Sequence, residues 1–282
     1  MKYTLMSGML EDALGVILPF EEFVALAKEA GYEAVDVMAP HIDVSGTQAK
    51  AILEKYDMTL SCVDMIAGFQ DCVTEESYQQ LLGEVKGYID LAAEAGSPTF
   101  LIMPTVLKGT KGQDREQLYD LILRGLKECT AYVIEKGMVP TTESLHTLEV
   151  PYCSTGDLLR VLQDVPEVTF TMDTGNSFPA QDGIMTTYER VKDRLLNFHI
   201  KYAVAVESGG KYLCTNGKYM KILPCDPIPQ DLQILFDRLV TDHFEGYIGY
   251  EGACAADNAL DAAKEVLDFF NQAEEIAKAK LR

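Results

Sequence analysis

The sequence alternates between segments that favour a β-strand and segments that favour an α-helix, and it completes this alternation eight times. Segment 99–103 is almost continuously apolar, as is typical of a parallel strand buried on both faces. Several helical segments begin with acidic residues and end at glycine. The pattern predicts strands at 3–6, 33–38, 59–63, 99–103, 139–142, 168–172, 196–201 and 247–250, and helices at 19–31, 47–56, 75–95, 114–136, 157–163, 184–195, 227–242 and 258–279.

A strand followed by a helix eight times implies parallel strands, and a closed (β/α)₈ TIM barrel is the architecture that best fits this count. The length of 282 residues suits one such domain, and no low-complexity linker divides the chain. We therefore predict a single α/β barrel domain over residues 1–282. Segment 202–224 has no helical periodicity, and its Gly209-Gly210 and Asn216-Gly217 pairs predict hairpin turns. This segment is expected to be an extended loop or hairpin insertion.

Charge and cysteine content limit the possible partners and the compartment. The formal net charge of −20 argues against a nucleic-acid-binding surface and against binding to anionic membranes, because both need clustered Lys and Arg. The N-terminus does not resemble a signal peptide, and no apolar run reaches the roughly 18 residues of a membrane span. The seven cysteines are scattered and never in CxxC spacing. They are expected to be reduced thiols, and the cytoplasm is the expected location.

Four successive predicted strands end in a side chain that can bind a metal or exchange a proton. Strands five to eight end in Glu143, Asp173, His199 and Glu251. Active sites of TIM barrels lie at the C-terminal ends of the strands, so these four side chains are expected to converge. Three carboxylates and one imidazole suit one divalent metal ion, with Mn²⁺ as the expected ion and Mg²⁺, Co²⁺ or Zn²⁺ as alternatives. Rim residues that bond only to loops are the structural alternative.

Three motifs extend this prediction to a family. The chain reads M-D-T-G-N around Asp173, F-H-I-K around His199 and G-Y-I-G-Y-E-G around Glu251. With these motifs it resembles the xylose isomerase-like superfamily of TIM barrels, the sugar phosphate isomerase/epimerase group. The resemblance implies that the matching Glu, Asp, His and Glu hold one divalent metal. It also implies that Glu143 and Glu251 serve as acid/base groups on a keto sugar.

The sequence departs from this family at three places. Tyr202 follows the F-H-I-K motif where many relatives carry Asp, and Asn176 stands where relatives often have His. The 202–224 insertion is longer than a plain loop, which indicates a lid, a partner surface or a specialised substrate. We therefore expect either a homo-oligomer or assembly with a small partner subunit.

Three further residues are candidates for the substrate site. His146 follows Glu143 by three positions, and we predict that it transfers a proton or orients the substrate without binding the metal. Lys201 lies two residues after His199 and is expected on the same side of the strand, and His41 is expected on the opposite wall. Ordinary loop or rim positions are the alternative for each. Asp64 is predicted to form a loop and His243 to be structural.

These predictions favour a metal-dependent isomerase or epimerase that abstracts a proton next to the carbonyl of a ketose or keto sugar. A lyase with the same enolate chemistry is the alternative, either an inosose dehydratase-like enzyme or the catalytic subunit of a C-glycoside deglycosidase-like enzyme that cleaves 3-keto glycosides. A non-enzymatic scaffold is the third possibility, against which the four ligand-type strand ends argue.

Overall fold

Eight parallel strands close into a barrel in the computed structural model, which describes residues 1–106, 108 and 114–281. Each barrel strand pairs with its neighbours in chain order, and the last strand pairs with the first. The predicted TIM barrel is thus confirmed. The barrel strands are β1 (Lys2–Met6), β2 (Ala34–Met38), β3 (Thr59–Ile66), β4 (Thr99–Met103), β5 (Val139–Thr142), β6 (Thr169–Asp173), β7 (Leu195–Ile200) and β11 (Tyr247–Tyr250).

The helices surround the barrel and bury one apolar face against it. Several start where the sequence supplies a side-chain cap: Ser45, Thr74 and Ser154 each complete a capping box, which satisfies backbone N–H groups that the helix leaves unpaired. The helices are α1 (Ser7–Leu14), α2 (Phe20–Ala30), α3 (Gly46–Tyr56), α4 (Glu75–Ala95), α5 (Arg115–Glu135), α6 (Thr155–Asp164), α7 (Ile184–Val191), α8 (Gln230–Thr241) and α9 (Ala259–Lys280).

Two helices differ from the sequence-based prediction. Helix α1 was not predicted, because it follows β1 directly and has no side-chain cap at its start. Helix α7 ends at Val191 rather than at Leu195. The residues after it form a short 3₁₀ turn, and Leu195 already pairs with Phe170 of β6. Pairing between strands therefore overrides the helical pattern at the end of this segment.

The 202–224 insertion folds into a small antiparallel sheet of β8 (Tyr202–Val206), β10 (Tyr219–Leu223) and β9 (Tyr212–Leu213), in that order. The predicted turns are present, with positive φ at Gly209 and Gly217. The sheet has its own buried cluster of Ala203, Cys214 and Met220. It rests on the segment after β6, where Phe178 packs against this cluster. The insertion is therefore an ordered excursion rather than a loose loop.

In the described part of the chain, no helix is both long enough and apolar enough to cross a membrane.

The insertion can be removed without interrupting the barrel. Tyr202 and Leu223 are register partners, so an Asn-Gly turn in place of residues 203–222 would close a two-residue hairpin. We expect the shortened protein to keep cooperative thermal unfolding with a midpoint within about 5 °C of the full chain, because the insertion's buried cluster is separate from the barrel core. Circular dichroism melting measures this. Loss of the cooperative transition would show that the insertion belongs to the folding core.

Candidate metal centre

The C-terminal ends of four barrel strands bring the predicted ligands to one side of the barrel mouth. Glu143 follows β5, Asp173 ends β6 next to His199 on β7, and Glu251 follows β11. Glu143, Asp173 and His199 are at most 2% exposed, whereas the Glu251 side chain keeps 22% of its surface. The strand order therefore places these residues together, as the barrel rule predicts.

Three of the four side chains form a compact group. One ligand atom each from Glu143, His199 and Glu251 lies within 4.8 Å of the others. His199 Nδ1 is 2.7 Å from Glu143 Oε2 and 3.7 Å from Glu251 Oε2. These contacts bring together possible ligand atoms from the ends of three separate strands.

Asp173 lies beside this group rather than within it. Its Oδ1 accepts hydrogen bonds of 2.7 Å from the backbone N–H groups of Gly175 and Asn176, which fixes the turn after β6. Its Oδ2 is 3.2 Å from Lys201 Nζ, and Lys201 Nζ is in turn 3.3 Å from Glu251 Oε1. Lys201 thus links Asp173 to the group of three.

The residues fit a divalent cation. Glu143 Oε2, Asp173 Oδ2 and both ring nitrogens of His199 are buried and make no hydrogen bond of good geometry, although Glu143 lies 2.7 Å from His199 Nδ1 and Asp173 lies 3.2 Å from Lys201 Nζ. Buried polar atoms are normally hydrogen-bonded, and ligand atoms that face one another without such bonds are suited to a shared cation. Carboxylate oxygens with one imidazole nitrogen form a donor set for Mn²⁺ or Mg²⁺ rather than for a thiolate-selected metal.

Lys201 is a buried cation that, like His199, lies beside Glu251; the sequence predicted this side of the strand but not the burial. Its Nζ donates to Asn176 Oδ1 at 2.9 Å and forms the two ion pairs described above. A Cβ on Gly175 would lie 2.9 Å from Lys201 Cγ, so the glycine leaves room for the lysine stem. Burial favours the neutral amine, but the charges of Asp173 and Glu251 outweigh it and raise the pKa of Lys201.

Asn176 connects the metal group to the proposed substrate residues, a role that the sequence did not reveal. Its Nδ2 donates to Glu143 Oε1 at 2.5 Å and to the Ser144 carbonyl at 2.7 Å. Its Oδ1 lies 2.8 Å from His146 Nδ1 and accepts from Lys201. The only signal in the sequence was its place three residues after Asp173, where relatives often have His.

His146 lies next to the metal group and against the insertion. Its ring contacts Tyr212 edge to face, with 4.2 Å between centroids. Burial and the positive charge of Lys201 lower the pKa of His146 to about 3, so the imidazole is neutral at physiological pH. Because Asn176 Oδ1 is an acceptor, His146 Nδ1 carries the hydrogen and Nε2 is the acceptor.

The surroundings of the two glutamates shift their pKa values in opposite directions. Burial raises the pKa of Glu143, although His199 opposes this effect. Burial also acts to raise the pKa of Glu251, but the Lys201 ammonium and His199 outweigh it and lower that pKa. The pKa of Asp173 rises to about 7, mainly through burial. Opposite shifts in a pair of carboxyl groups are typical of an acid/base pair.

Two further buried acids were missed or misplaced by the sequence analysis. Asp64, predicted to form a loop, lies inside β3 and is 2% exposed, and Asp36 in β2 is equally buried. Their carboxylate oxygens and Cys62 Sγ lie within 4.8 Å of one another. Asp36 Oδ2 is 3.6 Å from His199 Nε2. The sequence does not show that the strands carrying these two acids face His199 across the barrel, so neither acid could be assigned to the site.

His41 lies away from this centre. It contacts Ser7 at 2.9 Å through Nδ1 and Glu11 at 3.2 Å through Nε2. It lines a separate small pocket beside α1 rather than the cavity at the metal group. The structure therefore does not bring His41 to the predicted opposite wall. His243 is exposed after α8, in keeping with the structural role predicted for it.

A cavity of about 1030 Å³ opens above the metal group. Glu143, His146, Asn176, Lys201 and Glu251 lie at its polar end. Its walls are largely apolar, and the insertion contributes Tyr212, Met220 and Ile222 to them. The volume is at the upper end of the range of about 300–1,000 Å³ for pockets that hold drug-sized ligands.

The sequence and the fold both match one family. The model of the xylose isomerase-like TIM barrel family matches residues 24–273. The chain belongs to this family. A search among curated proteins finds no match.

Solved structures share the whole fold at low sequence identity. D-allulose 3-epimerase from Methylomonas sp. in complex with D-allulose has a TM-score of 0.71 and 18% identity, covering 96% of this chain and 97% of that chain. For 3-keto-D-glucoside 4-epimerase from E. coli the TM-score is 0.68 at 16% identity, with 96% and 99% covered. A xylose isomerase-like TIM barrel protein from Mycobacterium smegmatis in complex with magnesium has a TM-score of 0.70 and 16% identity, covering 98% of this chain and 97% of that chain. These similarities establish the common fold.

Metal binding at this centre should strengthen as the pH rises. Burial acts to lower the pKa of His199, but the Glu143 charge outweighs it and raises that pKa, and the pKa of Asp173 is about 7. Protons on these groups must leave before an ion binds, so the free protein resists binding at low pH. We expect the Mn²⁺ affinity to rise between about pH 6 and 8, by up to about tenfold per pH unit for each proton released. Calorimetric titration in two buffers of different ionisation enthalpy measures both the Mn²⁺ affinity and the number of protons released. An affinity that does not depend on pH would contradict the assignment of His199 and Asp173 as ligands.

Proposed function

We propose that this protein is a divalent-metal-dependent isomerase or epimerase that moves a proton next to the carbonyl of a ketose or keto sugar. The observation that carries the proposal is the group of Glu143, His199 and Glu251, whose ligand atoms lie within 4.8 Å of one another below a large cavity. The chain belongs to the xylose isomerase-like TIM barrel family, and epimerases are among the solved structures that share its fold. Both findings support this reaction class.

Glu143, His199 and Glu251 would hold the ion, and Asp173 is the proposed fourth ligand. Mn²⁺ is the proposed ion, with Mg²⁺, Co²⁺ and Zn²⁺ as alternatives, and the magnesium complex of the mycobacterial relative supports a hard divalent cation. When bound, such an ion supplies Lewis acidity that makes a proton next to the carbonyl easier to remove.

The two glutamates are suited to opposite halves of a proton transfer. Glu251 stays ionised beside Lys201 and is therefore available to accept a proton, whereas Glu143, with its raised pKa, more readily carries a proton to return. An epimerase needs a proton acceptor and a proton donor on the two faces of the same carbon. Lys201 holds the Glu251 carboxylate in place through its ion pair at 3.3 Å.

His146 is proposed to orient the substrate. Its neutral ring offers Nε2 as an acceptor for a sugar hydroxyl, because Nδ1 is engaged by Asn176. His146 lies outside the group of three, so Glu143 or Glu251 is better placed to take the proton from a carbon next to a carbonyl held at that group.

A lyase that cleaves 3-keto glycosides is a second candidate, which the size of the cavity favours. The apolar wall of Tyr212, Met220 and Ile222 leaves space for an aglycone beyond one sugar ring. The same proton abstraction next to a ketone would then expel the aglycone instead of inverting a carbon.

We also propose assembly with copies of the chain or with a small partner subunit through the insertion. Leu213 and Tyr219 are register partners on β9 and β10, and they are 54% and 39% exposed. Adjacent exposed apolar side chains are typical of interaction surfaces. A cytoplasmic location stays a prediction, in keeping with seven cysteines that form no disulfide.

A substrate screen separates the two reactions. The Mn²⁺-loaded protein should epimerise or isomerise a free ketose or a 3-keto sugar, detected as a new sugar by chromatography, and lose this activity after removal of the ion. A Tyr212→Ala variant should affect glycosides with bulky aglycones more than free sugars, because Tyr212 lines the outer cavity. Release of aglycone without epimerised sugar would favour the lyase. No turnover of either class, with no bound ion, would favour a scaffold.

The role of His146 is tested by His146→Gln. We expect unchanged folding and metal content, since His146 is outside the group of three, together with a lower kcat. A loss of about 10²- to 10⁴-fold would indicate proton transfer, and a smaller loss would indicate the orienting role proposed above. His243→Gln is the matched control and should leave kcat unchanged. Loss of the metal from the His146 variant would make His146 a ligand and refute this assignment.

A further inference from the structure

The ring of His199 lies between carboxylates on two sides. Nδ1 faces Glu143 and Glu251 at the barrel mouth, and Nε2 faces Asp36 Oδ2 at 3.6 Å. His199 and Asp36 are each 2% exposed, and they reach one another across the barrel interior from β7 and β2. The two ring nitrogens thus meet different environments.

We propose that Asp36 is a positioning residue of the metal centre, which attracts the hydrogen of His199 Nε2 and thereby reserves Nδ1 for the ion. This inference rests on the proposed function, because it presupposes that the group of three binds a metal. A metal-binding histidine commonly donates its other ring N–H to a carboxylate, and this contact fixes the tautomer and the ring orientation.

Asp36 has no direct place at the large cavity. It is absent from the lining of the large cavity, so a substrate bound there has no direct route to it. Among the residues that the structure describes, its ion pair with His199 is the only one it makes, and its Oδ1 has no hydrogen-bond partner. A carboxylate buried this deeply is unfavourable without a charge or donor to offset it, and the groups in reach are the Nε2 hydrogen of His199 and the carboxyl group of Asp64.

Asp64 provides a matched control. It is as buried as Asp36, one of its oxygens lies within 4.8 Å of Asp36 and Cys62, and its Oδ1 is likewise unpartnered. Within the described residues, however, Asp64 forms no ion pair with His199. Asn in place of either acid keeps the shape and removes one buried carboxyl group, so the two variants differ in the contact with His199.

The first measurement is the Mn²⁺ affinity, which is determined from the electron paramagnetic resonance signal of the free ion. Asp36→Asn should bind Mn²⁺ about 10- to 100-fold more weakly than the wild type, the usual loss when a partner of a metal-binding histidine is removed. Asp64→Asn should change the affinity much less. Equal losses in the two variants would mean that barrel charge, not the contact with His199, sets the affinity, and would overturn the proposal.

The second measurement needs no variant. The chain has four histidines, so ¹⁵N spectra of the wild type loaded with diamagnetic Zn²⁺ can resolve the His199 ring. We expect hydrogen on Nε2 and metal on Nδ1. Metal on Nε2, or hydrogen on Nδ1, would overturn the proposal even if Asp36→Asn failed to fold.

The outcomes also separate this inference from the proposed function. A wild type that binds no divalent ion would refute both. A wild type that binds one ion while Asp36→Asn binds it equally well would refute only the role of Asp36. Two ions per wild-type chain, with one lost from both Asp36→Asn and Asp64→Asn, would assign Asp36 to a second site with Cys62 and refute the positioning role.

Discussion

The burial of several carboxylates at one end of the barrel is the constraint on which the site depends. Glu143, Asp173 and Glu251 meet there, and Asp36 and Asp64 lie behind them. The buried cations beside them are Lys201 and His199 when it is protonated. Charges removed from water are tolerated only when they are paired, so acids in excess over cations either hold protons or attract a further cation. Burial, together with the neighbouring carboxylates, raises the pKa values of Glu143, Asp173 and Asp64, and a divalent ion would stabilise their charged forms.

Lys201 and Asn176 turn these separate charges into one network. Lys201 pairs with Asp173 and Glu251, and Asn176 bridges Lys201, Glu143 and His146. His146, which lines the cavity, is therefore connected by direct hydrogen bonds to residues of the metal group. Satisfied buried networks of this kind hold side chains in a single arrangement, which proton transfer at a fixed carbon requires.

The insertion shapes the space above this network. The barrel strands supply the polar end of the cavity, whereas β9 and β10 supply Tyr212 and Met220 as an apolar wall. In a TIM barrel, loops at the C-terminal ends of the strands decide which substrate reaches a shared chemical centre. The contact between Tyr212 and His146 places the apolar wall directly against the polar end of the cavity.

The sequence by itself determined the elements that depend on local periodicity and the residues that end them. Eight strand–helix units fix the barrel, and the barrel fixes which ends of the strands converge, so Glu143, His199, Glu251 and Lys201 could be placed at one site before any coordinates were known. The insertion and its turns could also be predicted, because Gly-Gly and Asn-Gly pairs favour hairpin turns.

Only the tertiary structure decided the contacts made across the barrel. Asp36 and Asp64 lie in strands whose sequence does not show which side chain they face, Asn176 gained its role from partners 25 to 33 residues away, and α1 forms without a capping signal. His41 fell outside the cavity for the same reason, since its partners on α1 come from a helix that periodicity did not reveal. Local patterns report on neighbours in the chain, whereas the direction of a side chain inside a closed barrel depends on register, twist and closure, which are properties of all eight strands together.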